Sequence, residues 1–196
     1  MSTRWASEGR PSAADYDARW LRMARSGDNP HGEADFVERY APSTVLDAGC
    51  GTGRVGIELH RRGIDVVGVD LDAGFIDHAR AKAPEVEWHH ADLATVDVGR
   101  QFDVVVAAGN VMIFLAPGTE AAVLANLARH LGPGGRLISG FQVESADPLR
   151  AFDRDATDAG LELAERYGTW AGAEDSDGRY AVSVHVCRRE EGPRAH

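Results

Sequence analysis

A glycine-rich turn joins an apolar strand to a helix within residues 45–54, which read VLDAGCGTGR. Gly49, Gly51 and Gly53 permit a tight turn and let a ligand approach the backbone without interference from a Cβ atom. The helix that follows begins with N–H groups that have no partner within the helix and that face a ligand bound at the turn. The segment therefore predicts an α/β fold with a ligand at the end of its first strand.

The glycine spacing leaves two classes of cofactor open. Residues 51–56 form the G-x-G-x-x-G pattern of dinucleotide-binding proteins. Asp70 ends a predicted second strand and can accept hydrogen bonds from the ribose hydroxyls of either NAD or S-adenosylmethionine (SAM). Asp47 directly precedes the glycines, and Asp92 follows a predicted third strand. Asp92 has no standard place in the NAD pattern, so the set of acids favours SAM.

This order of motifs resembles that of the class I SAM-dependent methyltransferases from about Tyr16 to Arg188. Besides the D-x-G-x-G-x-G loop at 47–53, the segment FDVVVAAGN at 102–110 is similar to the family's fourth strand. The segment LGPGGRLI at 131–138 is similar to its turn into the fifth strand. The resemblance implies SAM as the cofactor, S-adenosylhomocysteine as its product, and methyl transfer as the activity.

The resemblance also implies the cofactor contacts. The glycine loop would hold the methionine part of SAM, Asp70 would bind the ribose, and Asp92 with Leu93 would flank the adenine. The expected contacts are Tyr16, Trp20, Asp47, Gly49, Cys50, Gly51, Gly53, Asp70, Leu71, Asp92, Leu93 and Asn110.

Strand and helix patterns alternate along the chain, which predicts a largely parallel sheet covered by helices. Strands are expected near 43–47, 64–70, 86–90, 102–108, 135–141, 161–168 and 179–188. Helices are expected near 13–25, 33–41, 53–62, 73–83, 119–131 and 146–160, with Gly63 and Gly132 as helix-terminating glycines. The short loop 171–178 predicts that the last two strands form an antiparallel hairpin.

The resemblance implies a three-layer Rossmann-like methyltransferase fold with seven strands in the order 3-2-1-4-5-7-6. A single domain over 1–196 is expected, with a lid helix and turn at 12–32, a core at 33–188 and a tail at 189–196. This length is ordinary for one domain.

The amino-acid composition disfavours several classes of binding partner. The net charge of −10 disfavours nucleic acid, and no apolar run reaches the roughly 20 residues of a membrane span. The N-terminus lacks the apolar core of a signal peptide, which predicts a cytoplasmic protein. The two cysteines have neither disulfide nor metal-ligand spacing, so no metal is expected. We expect a monomer or homodimer acting on a small-molecule acceptor.

The helix before the first strand has two interpretations. Ser12 and Asp15 have capping-box spacing, and Tyr16, Trp20 and Met23 fall on one face of the helix. This face either packs on the domain or, as the resemblance implies, forms a lid over the cofactor. The sequence favours neither interpretation.

Methyl transfer needs orientation more than a nucleophilic side chain, so few residues are candidates for catalysis. Asn110 follows the fourth strand and would point toward the methyl group, although a strand-end cap is the commoner role. His31 lies in a turn that can reach the cofactor, or it simply caps the turn. Cys50 has no recognisable histidine partner, which argues against a reactive thiol.

Two rival functions remain at this point. A NAD(P)-dependent oxidoreductase would use the same glycines and Asp70, and a SAM-binding protein without catalysis would share every cofactor contact. Glu174, Asp175 and Asp177 in the last loop would favour cationic acceptors if they overhang the site, or they are simply solvated.

Overall fold

The computed structural model describes residues 12–143, 146–173 and 178–188. Its strands are β1 Thr44–Ala48, β2 Asp65–Asp70, β3 Glu87–His90, β4 Phe102–Ala107, β5 Leu131–Gln142, β6 Leu161–Tyr167 and β7 Tyr180–Cys187. Its helices are α1 Ala13–Arg25, α2 Gly32–Glu38, α3 Arg54–Arg61, α4 Ala73–Lys82, α5 Val111–Phe114, α6 Glu120–Arg129 and α7 Ala146–Asp158.

The seven strands form one sheet in the order β3-β2-β1-β4-β5-β7-β6, as predicted. Strands β1 to β5 run parallel to one another, whereas β7 is antiparallel to both β5 and β6. The carboxyl ends of β1 to β5 therefore lie along one edge, and β6 ends at that edge too. In the described ranges, no helix is long and apolar enough to cross a membrane.

Helices cover both faces of the sheet, because the central strands are apolar on both sides. On one face, Phe36 of α2, Leu59 of α3 and Ile76 of α4 pack on the sheet. On the other face, α5, α6 and α7 pack on it, with Leu124 and Leu127 of α6 fully buried. The result is the predicted three-layer architecture.

Two local predictions were wrong. The helix α5 was not predicted, because four residues are too few to show a helical period. Strand β5 begins at Leu131 rather than near 135, because buried Leu131 already pairs with Phe102. Gly132 consequently lies inside the strand and does not terminate a helix, whereas Gly63 has the expected left-handed backbone, with φ of 87°.

Trp88 of β3 packs beneath the glycine-rich turn. A Cβ atom on Gly68, its register partner in β2, would lie 2.2 Å from the indole. Cβ atoms on Gly53 and Gly56 would lie 2.8 and 3.2 Å from it. The indole N–H donates to the carbonyl of Ala83 at 2.9 Å. These three glycines therefore accommodate the tryptophan that supports the turn.

We expect Gly68→Ala to lower the free energy of unfolding by about 1–3 kcal/mol, because the added methyl group overlaps the Trp88 ring. Gly132→Ala is the matched control in a strand, because its Cβ would meet nothing closer than 3.8 Å. Urea denaturation of both variants tests this prediction, and equal stabilities would contradict it.

Candidate active site

A cavity of about 650 Å³ opens at the carboxyl edge of the sheet, beneath helix α1. The turns after β1, β2, β3, β4 and β6 all reach it. Its wall consists of Asp15, Tyr16, Arg19, Trp20, Arg22, Glu33, Gly49, Gly51, Asp70, Leu71, Phe75, Asp92, Leu93, Gly109, Asn110, Val111, Phe114, Leu115, Ala116, Thr119, Gln142, Trp170 and Tyr180.

The three glycines of the turn have different roles. Gly51 lies in the cavity wall with φ of 56°, and a Cβ there would meet only Phe75 and Tyr16, at 3.8 and 3.9 Å. Gly49 also lies in the wall, but a Cβ there would overlap Val111. Gly53 is not a wall residue, because it faces Trp88. The backbone at Gly51 is thus the part of the turn most open to a ligand.

Asp70 joins the end of β2 to the glycine-rich turn. Its Oδ2 accepts the Gly51 N–H at 2.8 Å, and its Oδ1 accepts the Asp72 N–H at 2.8 Å. Each carboxylate oxygen keeps a further lone pair for a hydroxyl donor. Burial raises the pKa of Asp70, against the lowering by these N–H groups. Leu71, which is 45% exposed, continues the cavity wall beside it.

Asp92 and Leu93 form the far end of the same wall. The Asp92 Oδ1 accepts the Ala94 N–H at 2.8 Å, which fixes the turn after β3. Leu93 is buried and belongs to the core beneath this turn. An acidic group and an apolar side chain therefore lie next to each other at the end of the cavity that Asp70 also reaches.

Asp47 lies beneath the turn and not in the cavity wall. It is 2% exposed, and its Oδ2 accepts the Gly56 N–H at 2.9 Å, which ties β1 to helix α3. Burial raises its pKa to about 7, despite the opposing effects of the Gly56 N–H and Arg54. Asp47, which was predicted to contact the cofactor, thus supports the turn from below and does not line the cavity.

Cys50 is also buried outside the cavity wall. Burial, followed by the charges of Asp47 and Asp70, raises the pKa of its thiol well above the ordinary range. A thiol with a raised pKa is a weak nucleophile, because the thiolate is the reactive form. The sequence-based argument against a reactive cysteine is consistent with this environment.

Asn110 lies in the cavity wall, and its side-chain amide oxygen caps a backbone N–H group at the end of β5. Its backbone is left-handed, with φ of 70°, and its Oδ1 accepts the Gln142 N–H at 2.8 Å. This bond ties the end of β4 to the end of β5. The amide oxygen is therefore engaged, and the Asn110 NH₂ group is the part left for a ligand.

His31 lies outside the cavity wall, so its catalytic role stays a prediction from the sequence. It occupies the N-cap of α2, and its Nδ1 is 3.8 Å from a carboxylate oxygen of Glu58. The backbone N–H of His31 donates to the Asn29 Oδ1 at 2.9 Å. The imidazole therefore lies near α3, to which Glu58 belongs.

The cavity wall also contains residues that were not predicted as site residues, among them Glu33, Gln142, Trp170 and Tyr180. The Trp170 Nε1–H donates to the Tyr180 hydroxyl at 2.9 Å, and burial raises the pKa of Tyr180 to about 12. Trp170 fits closely on β5 because residue 140 is glycine, where a Cβ would lie 2.3 Å from the indole. No local signal identifies this wall, since the pairings of β5 with β7 and of β6 with β7 bring Gln142, Trp170 and Tyr180 together.

Glu33 is almost buried in the wall and forms an ion pair with Arg54. The two guanidinium nitrogens of Arg54 lie 2.8 and 2.5 Å from its carboxylate oxygens. Arg54 also donates to the carbonyl of Pro30 and stacks on Trp20, with its Cζ 3.8 Å from the ring centroid. The pair thus connects the start of α3 with helices α1 and α2.

Helix α1 places Tyr16 and Trp20 in the cavity wall. The Tyr16 ring packs on Phe75 at a centroid distance of 5.5 Å. Ser12 caps the helix as predicted, with its hydroxyl accepting the Asp15 N–H. The acidic residues Glu174, Asp175 and Asp177 lie outside the described residues, although the preceding Trp170 does reach the cavity.

Comparison with known proteins identifies the class. A family model described as a methyltransferase domain matches residues 45–135. A solved TehB-like SAM-dependent methyltransferase from Corynebacterium glutamicum superposes with a TM-score of 0.80 at 36% identity, covering 90% of this chain and 98% of that one. The chain therefore belongs to the class I SAM-dependent methyltransferase family.

Curated relatives match over shorter stretches. The magnesium-protoporphyrin O-methyltransferase of Rhodobacter capsulatus is 45% identical over 37% of this chain and 34% of its own. The ribosomal protein L11 methyltransferase of Dechloromonas aromatica is 40% identical over 56% of this chain and 36% of its own. This chain thus spans about a third of the length of each, and the two names give different types of acceptor.

We expect the raised pKa of Asp47 to make the ligand-free protein less stable as pH rises. The folded state keeps a proton on Asp47 that the unfolded chain releases above about pH 3.8, so the free energy of unfolding falls between that pH and about 7. The slope from this group is at most about 1.4 kcal/mol per pH unit. Urea denaturation of Asp47→Asn and the parent protein across pH 4–8 measures it, and parallel pH profiles would contradict the assignment.

Proposed function

We propose that this protein transfers the methyl group of SAM to a small-molecule acceptor bound in the same cavity. One observation carries the proposal: a single cavity joins the glycine-rich turn and its two acids to a separate wall of aromatic and polar side chains. A donor and an acceptor would therefore meet within one enclosure, which is what a displacement reaction requires.

The cofactor end fits the groups of SAM. The open backbone at Gly51 permits close approach, and the Asp70 carboxylate has free lone pairs for the two ribose hydroxyls. Leu71 and Leu93 offer apolar surface for a purine ring, next to the Asp92 carboxylate. Gly49, Gly109 and Asn110 line the route from this end toward the rest of the cavity. We infer that these residues hold the cofactor.

When bound, SAM would supply a methyl group on a sulfonium sulfur, and that sulfur would keep the electron pair of the carbon–sulfur bond. The residues of this chain contribute orientation and the exclusion of water. Tyr16 and Trp20 cover the cavity from α1, and Phe75 packs beneath Tyr16. This cover reduces the access of water, which would otherwise compete with the acceptor.

The acceptor end is the wall of Glu33, Gln142, Trp170 and Tyr180. The Tyr180 phenol is protonated at neutral pH, as tyrosines ordinarily are, and burial raises its pKa further, to about 12. Since its oxygen already accepts the Trp170 N–H, its own O–H is oriented to donate to an acceptor oxygen or nitrogen. The cavity volume, shared by both ligands, is typical of small-molecule sites.

The names of the relatives do not fix the acceptor, since one names a porphyrin and another a ribosomal protein. Membership of the methyltransferase family disfavours the oxidoreductase alternative. The other alternative, SAM binding without catalysis, is distinguished by the experiment below. A cytoplasmic location, the monomer or homodimer, and the lack of nucleic-acid or membrane partners stay predictions from the sequence.

Calorimetric titration with SAM, S-adenosylhomocysteine and NADH tests the cofactor assignment. We expect both adenosyl ligands to bind and NADH to give no heat. Methyl transfer is then measured with SAM labelled in its methyl group and a panel of small amines, carboxylates and phenols. Binding of NADH alone would overturn the proposal, and binding of SAM without transfer to any acceptor would favour a non-catalytic role.

We expect Asp70→Ala to weaken the binding of S-adenosylhomocysteine by about 1–3 kcal/mol, because the ribose hydroxyls lose a buried acceptor. Asp65→Ala is the matched control at the opposite end of β2, where the carboxylate is exposed and pairs with Arg100. Calorimetry on both variants tests the assignment, and equal affinities would refute the role of Asp70.

A further inference from the structure

We propose that Asp17 is a positioning residue that fastens helix α1 directly to the cofactor loop and thereby sets how long the cofactor stays bound. The inference rests on the proposed function, because it assigns the loop to the cofactor. It concerns a residue that lies outside the cavity wall and that sequence patterns did not single out.

Helix α1 has little apolar attachment to the domain. All of Ala13–Arg25 is described, and none of its residues is buried. By contrast, α2, α3, α4 and α6 each bury three or more residues. An isolated helix of this length is marginal in water. The position of α1 over the cavity must therefore depend on a few specific contacts.

Asp17 supplies three of these contacts. Its carboxylate accepts the Thr52 hydroxyl at 2.5 Å and lies 2.7 Å from the Lys82 ammonium and 3.0 Å from the His78 Nε2. Lys82 and His78 are one turn apart on α4, and bonds to charged partners are the stronger kind. Partial burial favours the neutral acid, but the bonds from Lys82 and Thr52 outweigh it and lower the pKa of Asp17.

Through Thr52, Asp17 contacts the glycine-rich turn itself, because Thr52 is fully buried and lies between Gly51 and Gly53. Arg54, on the other side of Gly53, stacks on Trp20 of the same helix at 3.8 Å. Residues 52 and 54 of the loop thus both hold α1. Any movement of the loop on ligand binding is transmitted to the helix through these two contacts.

The attachment also places Tyr16, the neighbour of Asp17, across the cavity. The Tyr16 ring lies 3.9 Å from a Cβ position on Gly51, and its hydroxyl lies 3.8 Å from one on Gly109. Tyr16 therefore spans from the turn after β1 to the turn after β4. If Asp17 releases Thr52, Lys82 and His78, this cover is free to lift and the cofactor can leave.

Asp17→Asn tests the inference, with S-adenosylhomocysteine as the probe. We expect its dissociation rate, followed by stopped-flow tryptophan fluorescence, to rise about tenfold, the scale of a lost charge-assisted contact. Asp77→Asn on α4 is the matched control, because its exposed carboxylate pairs with Arg80 and does not reach α1. Its dissociation rate should equal that of the parent protein.

Lys82→Met provides a second variant on the other side of the contact. It should also raise the dissociation rate, and its effect should be smaller in the Asp17→Asn background, since both changes remove the same attachment. An unchanged rate in Asp17→Asn, or full additivity of the two changes, would overturn the inference.

Tryptic cleavage of the ligand-free protein after Arg19, Arg22 and Arg25 separates this inference from the proposed function. We expect faster cleavage at these sites in Asp17→Asn than in Asp77→Asn. If the parent protein binds no S-adenosylhomocysteine, the proposed function fails, while faster cleavage would still support the attachment of α1 by Asp17. Equal cleavage in the two variants would refute that attachment.

Discussion

The packing of Trp88 beneath the glycine-rich turn is the constraint on which the rest of the site depends. The indole occupies the space that side chains at residues 53, 56 and 68 would fill. Asp47 fastens the same turn from below, and Asp70 fastens it from the side. Buried contacts therefore hold the turn on the side that faces the protein interior. The backbone at Gly51 is the part of the turn that faces the cavity.

Most of the fold could be predicted from the sequence, because alternating apolar strands and amphipathic helices are local signals. The strand order and the hairpin agree with the fold implied by the motifs. The errors lie where local signals are weak: helix α5 is one turn long, and β5 begins inside a glycine- and proline-containing segment. There the pairing of Leu131 with Phe102 outweighs the turn propensity of Gly132 and Pro133.

The candidate site was less predictable, and the two ends of the cavity differ in this respect. Gly51, Asp70 and Asp92 all line the cavity because each lies at or just after the carboxyl end of a parallel strand. Short sequence motifs mark these strand ends, so the sequence identifies the three residues. Trp170 and Tyr180 meet across the end of the β6–β7 hairpin, and Trp170 packs on Gly140 of β5, so this wall depends on strand pairings that no short motif identifies. His31 was also singled out by its position in a turn, but it lies outside the cavity wall and near Glu58 of α3.

The two ends of the cavity come largely from different parts of the chain. The cofactor end is built before residue 112, whereas three of the four residues of the acceptor wall, Gln142, Trp170 and Tyr180, belong to the final third of the chain, and only Glu33 lies earlier. Substitutions in that final third can reshape the acceptor wall without touching the buried supports of the glycine-rich turn. Such a layout allows a lineage to exchange one acceptor for another while its affinity for the methyl donor is preserved.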